Sequence, residues 1–225
     1  IIPKPKPIKG LPRKRQAFFV FMNMKPVKSL RIAVQKSGRL HDGSMQLLRE
    51  CGLSISNGRD QLQLRVPNFP VELLFLRDDD IPEYVADGVA DIGIVGENVV
   101  AERNLSDRII RRLDFARCRL SIAVPRNADY NGLEWLNGKN IATSYPVVTR
   151  KFLERQGIHA TLHEISGSVE IAPGIGLAEA ICDLVSTGST LLSNGLKEVE
   201  TVLQSEAVVI AGSGLSEEKS AILDQ

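Results

Sequence analysis

Short apolar runs alternate with amphipathic stretches from Leu30 to the end of the chain. The strand candidates are LRIAVQ (30–35), VELLFL (71–76), DIGIVG (91–96), RLSIAVP (119–125), NIATSY (140–145), ATLHEIS (160–166) and ICDLVS (181–186). Helical patterns lie between them: residues 44–51 end at Gly52, and Asp80 and Pro82 have the positions of a helix cap and first turn. Continuous rather than alternating apolar strands favour parallel sheet covered on both faces. The pattern predicts an α/β fold.

Two points along the chain are predicted to connect separate lobes. The first is at the strand SIAVP (121–125), which ends in a proline before the polar stretch RNADYNG. The second lies near residues 195–201, where helix-like TLLSNGL gives way to a strand pair, EVETVL and AVVIAG. We therefore expect lobe I to contain residues 30–118 and about 199–225, and lobe II residues 119–198. A cleft between two such lobes is typical of periplasmic-binding-protein-like (type II) architecture.

Charge is unevenly distributed over the 225 residues. Residues 1–29 contain eight basic and no acidic residues and five of the eleven prolines, whereas residues 30–225 contain 20 basic and 27 acidic residues, a net charge of −7. We interpret the first segment as a non-core extension. An acidic body does not favour a nucleic-acid groove, because affinity for the phosphate backbone comes from clustered Lys and Arg.

Three widely spaced cysteines without a C-x-x-C pair indicate neither a disulfide framework nor a zinc site, and they favour a reducing, cytoplasmic compartment. The sequence has no apolar run of about 18 residues, so we expect no membrane span.

The segment QKSGRL (35–40) joins a predicted strand to a predicted helix, where open α/β sheets bind ligands. Gly38 lets the backbone approach a ligand closely, and Lys36 and Arg39 add two cations. A solvated turn explains any one basic segment of this kind better, because basic loops are common on surfaces. The segment is therefore a candidate anion site only in combination with others.

The run ICDLVSTGSTL (181–191) follows a buried strand and precedes a helix. It surrounds Gly188 with four hydroxyl side chains, those of Ser186, Thr187, Ser189 and Thr190. Hydroxyls and backbone N–H groups at a helix start form an uncharged cradle for a phosphate, although such a run is often only a turn. Asp183 lies inside the apolar strand, with Glu179 four residues earlier. A carboxylate there is costly without a partner, and ribose hydroxyls are suitable partners.

Other candidates are weaker. The turn that carries Glu97 and Asn98 is also explained as a tight parallel-sheet turn, and Glu170 in GSVEIAPGIG as a carboxylate paired with an arginine. The triple Asp78, Asp79, Asp80 is better interpreted as helix capping than as a metal site. The three histidines imply no ligand geometry, and no G-x-S-x-G elbow joins a strand to a helix. We expect no catalytic nucleophile, and protein ligands for a metal remain unassigned.

Seven segments in this order resemble the ATP phosphoribosyltransferase family, which catalyses the first step of histidine biosynthesis. They are AVQKSGRL, FLRDDDIP, GVADIGIVGENV, RLSIAVP, IATSYP, GSVEIAP and ICDLVSTGSTL. The resemblance implies a pentosyltransferase that joins N1 of the adenine of ATP to C1 of phosphoribosyl pyrophosphate and releases pyrophosphate, with Mg²⁺ on the phosphates. It covers the chain from Leu30 onward.

The resemblance also implies roles for individual residues. Asp183 would bind ribose hydroxyls, residues 186–190 would hold the 5′-phosphate, and Glu179 would belong to the same group. The pyrophosphate and triphosphate would face Lys36, Gly38, Arg39 and Arg77. Asn98 and Tyr145 would border the adenine, and Glu170 would line the same cleft.

The sequences KSGRL and LVSTGSTL resemble those of the long form of the family. In that form an extra C-terminal domain binds histidine as a feedback inhibitor. We expect that domain and its histidine site to be missing from this chain. The resemblance further implies a homo-oligomer, at least a dimer, with ATP and phosphoribosyl pyrophosphate as small-molecule partners. The alternative is a non-catalytic two-lobe binding module, which shares the architecture but does not need a phosphate cradle beside Asp183.

The hydroxyl loop provides the first test. Gly188→Ile introduces a β-branched side chain where the backbone must approach a phosphate. We expect the affinity for phosphoribosyl pyrophosphate to fall about tenfold or more, measured by calorimetry, with an unchanged circular dichroism spectrum. Wild-type affinity in this variant would show that the loop does not bind the phosphate.

Overall fold

The computed structural model describes residues 29–56 and 61–224. Its strands form a six-stranded and a five-stranded sheet, which define lobe I and lobe II. The strands of lobe I are β1 (Leu30–Gln35), β2 (Gln63–Arg65), β3 (Val71–Leu76), β4 (Ile92–Gly96), β5 (Ile109–Arg112) and β11 (Ala207–Ala211). The strands of lobe II are β6 (Cys118–Pro125), β7 (Asn140–Thr143), β8 (Thr161–Glu164), β9 (Ala180–Val185) and β10 (Leu196–Ser205).

Within the described residues, six α-helices connect and cover these strands. They are α1 (Arg39–Glu50), α2 (Ile81–Ala86), α3 (Glu97–Glu102), α4 (Pro146–Arg155), α5 (Ser189–Ser193) and α6 (Glu217–Leu223). None of the helices within the described ranges is long and apolar enough to cross a membrane. The predicted α/β class is confirmed.

Both sheets mix strand directions. In lobe I, β3, β1 and β4 are parallel, while β2, β11 and β5 run antiparallel to their neighbours. In lobe II, β8, β7 and β9 are parallel. Strand β6 runs antiparallel to both of its neighbours, β9 and β10. The predicted parallel pairing is present at β3, β1 and β4 and at β8, β7 and β9, whereas the antiparallel pairing of the other strands was not predicted.

The second crossing differs from its prediction. Strand β10 extends to Ser205 and pairs along its length with β6, so it belongs to lobe II. The chain returns to lobe I at Glu206, and β11 then pairs with β4 and β5. EVETVL and AVVIAG are thus strands of different sheets rather than a pair. Apolar content alone does not separate two consecutive strands that join different sheets.

Each sheet is covered on both faces. In lobe I, α1 and α6 pack on one face, where Ile32 and Val34 meet Met45 and Leu48 of α1. On the opposite face, Ala33 packs with apolar residues of α2 and α3. In lobe II, α4 covers the face that carries Ile122 and Ile141, and α5 covers the other. Burial of both faces explains why the central strands are apolar throughout.

The basic extension at residues 1–29 falls almost wholly outside the described residues. Its predicted separation from the core therefore stays a prediction.

An ion pair holds α6 against lobe I. Lys219 Nζ lies 2.6 and 2.7 Å from the two carboxylate oxygens of Asp91, and one of these oxygens also accepts a hydrogen bond from the Arg31 N–H at 2.8 Å. Both side chains are about nine-tenths buried, at 12% and 11% exposure. Loss of one partner would leave a buried charge without its main compensation.

Lys219→Met should accordingly lower the free energy of unfolding by about 3 kcal/mol in urea denaturation. The matched control is Arg117→Met, which breaks an exposed pair with Asp114. We expect the control to cost less than about 1 kcal/mol. Equal effects of the two substitutions would contradict a buried, stabilising role for Lys219.

Candidate active site

The hydroxyl loop lies at the carboxyl end of β9 and leads directly into α5. Gly188 has φ +78° and ψ 0°, the left-handed conformation that glycine adopts without strain. A Cβ added there would meet only Val185 at 4.0 Å, so the requirement for glycine comes from the backbone and not from packing. The Thr187 and Ser189 hydroxyl oxygens are 3.0 Å apart. A cavity of about 180 Å³ lies over this loop, and its lining includes Glu170 and Asp183.

Asp183 and Glu170 place two carboxyl groups beside the loop. Burial raises the pKa of Asp183, the Leu184 N–H at 2.8 Å lowers it, and the charge of Glu170 raises it again. Two neighbouring carboxylates in a partly buried site repel each other, so the pair favours a ligand that donates hydrogen bonds or carries a cation. The structure thus brings Glu170 to the loop beside Asp183.

The basic residues of lobe I lie on the opposite wall. Strands β1 and β3 pair with Gln35 beside Leu76, so Lys36 and Arg77 follow neighbouring strand ends. Gly38, with φ +92°, is the N-cap residue of α1, and Arg39 is the first residue of that helix. Arg39 Nη2 donates to Ser186 Oγ at 2.9 Å, which joins residues 147 positions apart. The predicted cations and the hydroxyl loop therefore face each other across one cleft.

Asn98 joins the lobes deeper in the cleft. Its side chain is 4% exposed, and its Nδ2 donates to the Tyr145 hydroxyl at 3.0 Å. Ser205 accepts the Asn98 N–H at 3.0 Å and donates to Asn98 Oδ1 at 2.9 Å. Burial raises the pKa of the Tyr145 phenol, against a smaller lowering by Asn98. The sequence does not single out Ser205 as a site residue, because it ends a strand and belongs to none of the candidate motifs.

The structure does not bring Glu179 to this site. It lies just before β9, at the opposite end of that strand from Ser186, and accepts hydrogen bonds from the Asn140 N–H at 2.8 Å and from Asn140 Nδ2 at 3.2 Å. These hydrogen bonds lower its pKa. Seven residues of extended chain separate the two positions by roughly 20 Å. The four-residue spacing that suggested proximity to Asp183 measures about 13 Å on a strand.

Asp78 lies in the cleft, although the sequence favoured a role in helix capping for it. It lies in a short 3₁₀ turn, Asp78–Asp80, after β3, and the Asp80 side chain at the start of α2 makes no capping hydrogen bond. Burial raises the pKa of Asp78 to about 6, Asp79 adds to the rise, and the Gly96 N–H opposes it. Its Oδ1 is buried without a hydrogen-bond partner. The available signal was its place two residues after a buried strand, next to Arg77, which has the position that Lys36 has after β1.

Two mixed α/β lobes, with a loop of hydroxyl side chains on one wall and cations on the other, define a two-lobed protein with a polar cleft. The fold is similar to that of a chain in the ATP phosphoribosyl transferase (HisG:HisZ) complex from Thermotoga maritima, with a TM-score of 0.68, 28% identity, and coverage of 81% of this chain and 87% of that one. It is also similar to the alkanesulfonate-binding protein SsuA from Xanthomonas axonopodis pv. citri, at 16% identity and a TM-score of 0.54 over 88% of this chain and 70% of that one. The second likeness concerns the fold alone.

Sequence comparison identifies the family. The family model described as HisG, ATP phosphoribosyltransferase, matches residues 77–225. The ATP phosphoribosyltransferases of Parabacteroides distasonis and Cytophaga hutchinsonii are 59% and 60% identical over 196 residues, 87% of this chain and 69% and 68% of theirs. This chain belongs to the ATP phosphoribosyltransferase family. It is a pentosyltransferase that acts on ATP and phosphoribosyl pyrophosphate in the first step of histidine biosynthesis, so the predicted enzyme is confirmed over the binding module.

The raised pKa of Asp78 predicts a pH dependence of stability. The folded protein keeps the proton up to about pH 6, whereas the unfolded chain releases it near 3.8. Stability from this group is therefore present below the lower value and is lost as the pH rises through the higher one. Asp78→Asn should flatten the stability profile between pH 4 and 7 and raise the free energy of unfolding at pH 8 by about 2 kcal/mol, measured in urea.

Asp80→Asn is the control for this measurement, because Asp80 is exposed in the same turn. It should leave the profile unchanged. An Asp78→Asn profile that is parallel to the wild type would show that Asp78 does not titrate near pH 6.

Proposed function

We propose that the two walls of the cleft divide the substrates between them. Residues 186–190 hold the 5′-phosphate of phosphoribosyl pyrophosphate, and Asp183 accepts hydrogen bonds from its ribose hydroxyls. Lys36, Arg39 and Arg77 bind the pyrophosphate and triphosphate groups, with Gly38 providing the close backbone approach. The observation that carries this assignment is the hydrogen bond of 2.9 Å from Arg39 to Ser186, because it places a guanidinium directly on the loop.

The adenine is proposed to lie between Asn98 and Tyr145. Their side chains come from different lobes and are hydrogen-bonded to each other, so a base held by both is oriented with respect to both lobes. Orientation is what the chemistry requires, because N1 of the adenine must approach C1 of the ribose as pyrophosphate leaves. Positioning two substrates accounts for a large share of the rate in such bimolecular reactions.

The protein's role in the displacement is electrostatic. Negative charge develops on the pyrophosphate as its bond to C1 breaks, and Arg39 and Arg77 supply positive charge on that side of the cleft. The carboxylates of Asp183 and Glu170 lie on the ribose side, where positive charge develops on the sugar. Preorganised charges of this kind contribute more in a closed cleft than in water. In this proposal the displacement uses no nucleophilic side chain of the protein.

Magnesium is proposed to enter with the substrate. No group of three or more His, Cys, Asp or Glu side chains within residues 29–56 and 61–224 is arranged to hold a metal ion. The pair Asp183 and Glu170 fits an ion that is bound mainly by phosphate oxygens and water and takes only one or two carboxylates. Such an ion would neutralise charge on the leaving pyrophosphate.

We also propose that the chain forms a homo-oligomer, at least a dimer, in the cytoplasm. Three large apolar side chains on one loop beside the cleft, Ile171, Ile175 and Leu177, are 48%, 69% and 43% exposed. Exposed apolar groups that lie together support a protein contact. All three cysteines are free, which supports a reducing compartment.

Arg39→Met tests the division of the substrates. The change removes the cation but keeps much of the side-chain volume, and we expect kcat/KM for pyrophosphate release to fall about 100-fold. The control Arg126→Met removes an exposed cation after β6 and should retain wild-type kinetics. If Arg39→Met is as active as the control, the assignment of the anion-binding wall is wrong.

A further inference from the structure

Glu102, the last residue of α3, connects lobe I to a helix of lobe II. Its Oε1 accepts the Val147 N–H at 2.8 Å, and its Oε2 accepts the Val148 N–H at 2.9 Å. Both N–H groups belong to the first turn of α4. The two oxygens of one carboxylate thus bind two successive backbone groups across the boundary between the lobes.

The first turn of α4 relies on this contact. Helix N-termini leave backbone N–H groups without partners inside the helix, and a side chain of the preceding residue commonly accepts one of them. Here the preceding residue is Tyr145, which makes no such capping hydrogen bond, and Pro146 contributes no N–H. Glu102 therefore supplies in its place both the acceptors and a negative charge suited to the positive end of the helix dipole.

A second contact one helical turn earlier acts on the same junction. Asn98 and Glu102 are four residues apart in α3, which places them on one face of the helix. Asn98 binds the Tyr145 hydroxyl, and Glu102 binds the two residues that follow Pro146. Two separated contacts between the same helices limit rotation as well as distance. The start of α4 is thereby oriented by lobe I, although it belongs to lobe II.

We propose that Glu102 is a positioning residue for the transferase reaction. It holds α4, and with it Tyr145, at a fixed angle to lobe I. At this angle the adenine site between Asn98 and Tyr145 faces the hydroxyl loop. Glu102 acts through α4 and does not itself contact a substrate. The proposal rests on the proposed placement of the adenine between Asn98 and Tyr145.

The test compares Glu102→Gln and Glu102→Ala with the control Glu154→Gln, which removes a charge from an exposed position in the last turn of α4. We expect kcat to fall about tenfold in Glu102→Gln and up to about 100-fold in Glu102→Ala, because small misplacements of reacting groups have effects of this size. The control should keep the wild-type kcat.

Two further measurements separate positioning from a general loss of structure. Calorimetry should give a Kd for phosphoribosyl pyrophosphate within about threefold of the wild type in the Glu102 variants, because that substrate binds the loop of lobe II; a threefold change is only about 0.7 kcal/mol. Hydrogen exchange followed by NMR should become faster at the Val147 and Val148 amides and stay unchanged in β7 and β9. These two amides report the contact without reference to activity.

A wild-type kcat in both Glu102 variants would overturn the proposal. So would a loss of kcat that matches the unfolded fraction measured by circular dichroism, or unchanged exchange at both valine amides. Failure of the proposed function looks different: wild-type protein would then not bind phosphoribosyl pyrophosphate, or the Arg39 substitution would not affect turnover.

Discussion

The contact between α3 of lobe I and the start of α4 in lobe II determines how the two walls of the cleft face each other. Asn98 is buried there and uses its main-chain N–H and both ends of its side-chain amide to bind Ser205 and Tyr145. A buried amide in this position is costly unless every polar group has a partner, so the arrangement tolerates few alternatives. The position of the hydroxyl loop relative to the basic wall follows from it.

The same cleft concentrates unfavourable electrostatics. Burial raises the pKa of both Asp78 and Asp183, and the Oδ1 atom of Asp78 has no hydrogen-bond partner. Elsewhere in the described chain, buried carboxylates have close partners: Asp91 has Lys219, and Glu72 has Gln63 and Arg65. Uncompensated charge at the cleft is typical of functional sites, where groups are arranged for a ligand and not for the stability of the empty fold.

The two-lobed architecture supports both solute binding and catalysis, as the likeness to sulfonate-binding proteins shows for the fold alone. What distinguishes this chain is the chemistry of the facing walls. A loop of hydroxyls next to a carboxylate pair suits a phosphorylated sugar, and cations on the opposite wall suit a polyphosphate. The chemistry of the two walls is thus compatible with the substrates of the family to which the chain belongs.

The sequence by itself determined most strands, the α/β class and the chemical nature of the loop at residues 186–190. These are local properties: apolar runs of strand length, and hydroxyls around a glycine before a helix, keep their meaning wherever the strand lies in the sheet. Only the tertiary structure decided which strands share a sheet and which ends of them meet. It assigned β10 to lobe II, and it removed Glu179 from the cleft by placing it at the other end of β9. It also placed Asp78 in the cleft and Ser205 and Glu102 at the contact between the lobes, because burial and contacts between residues distant in sequence are properties of the packed chain.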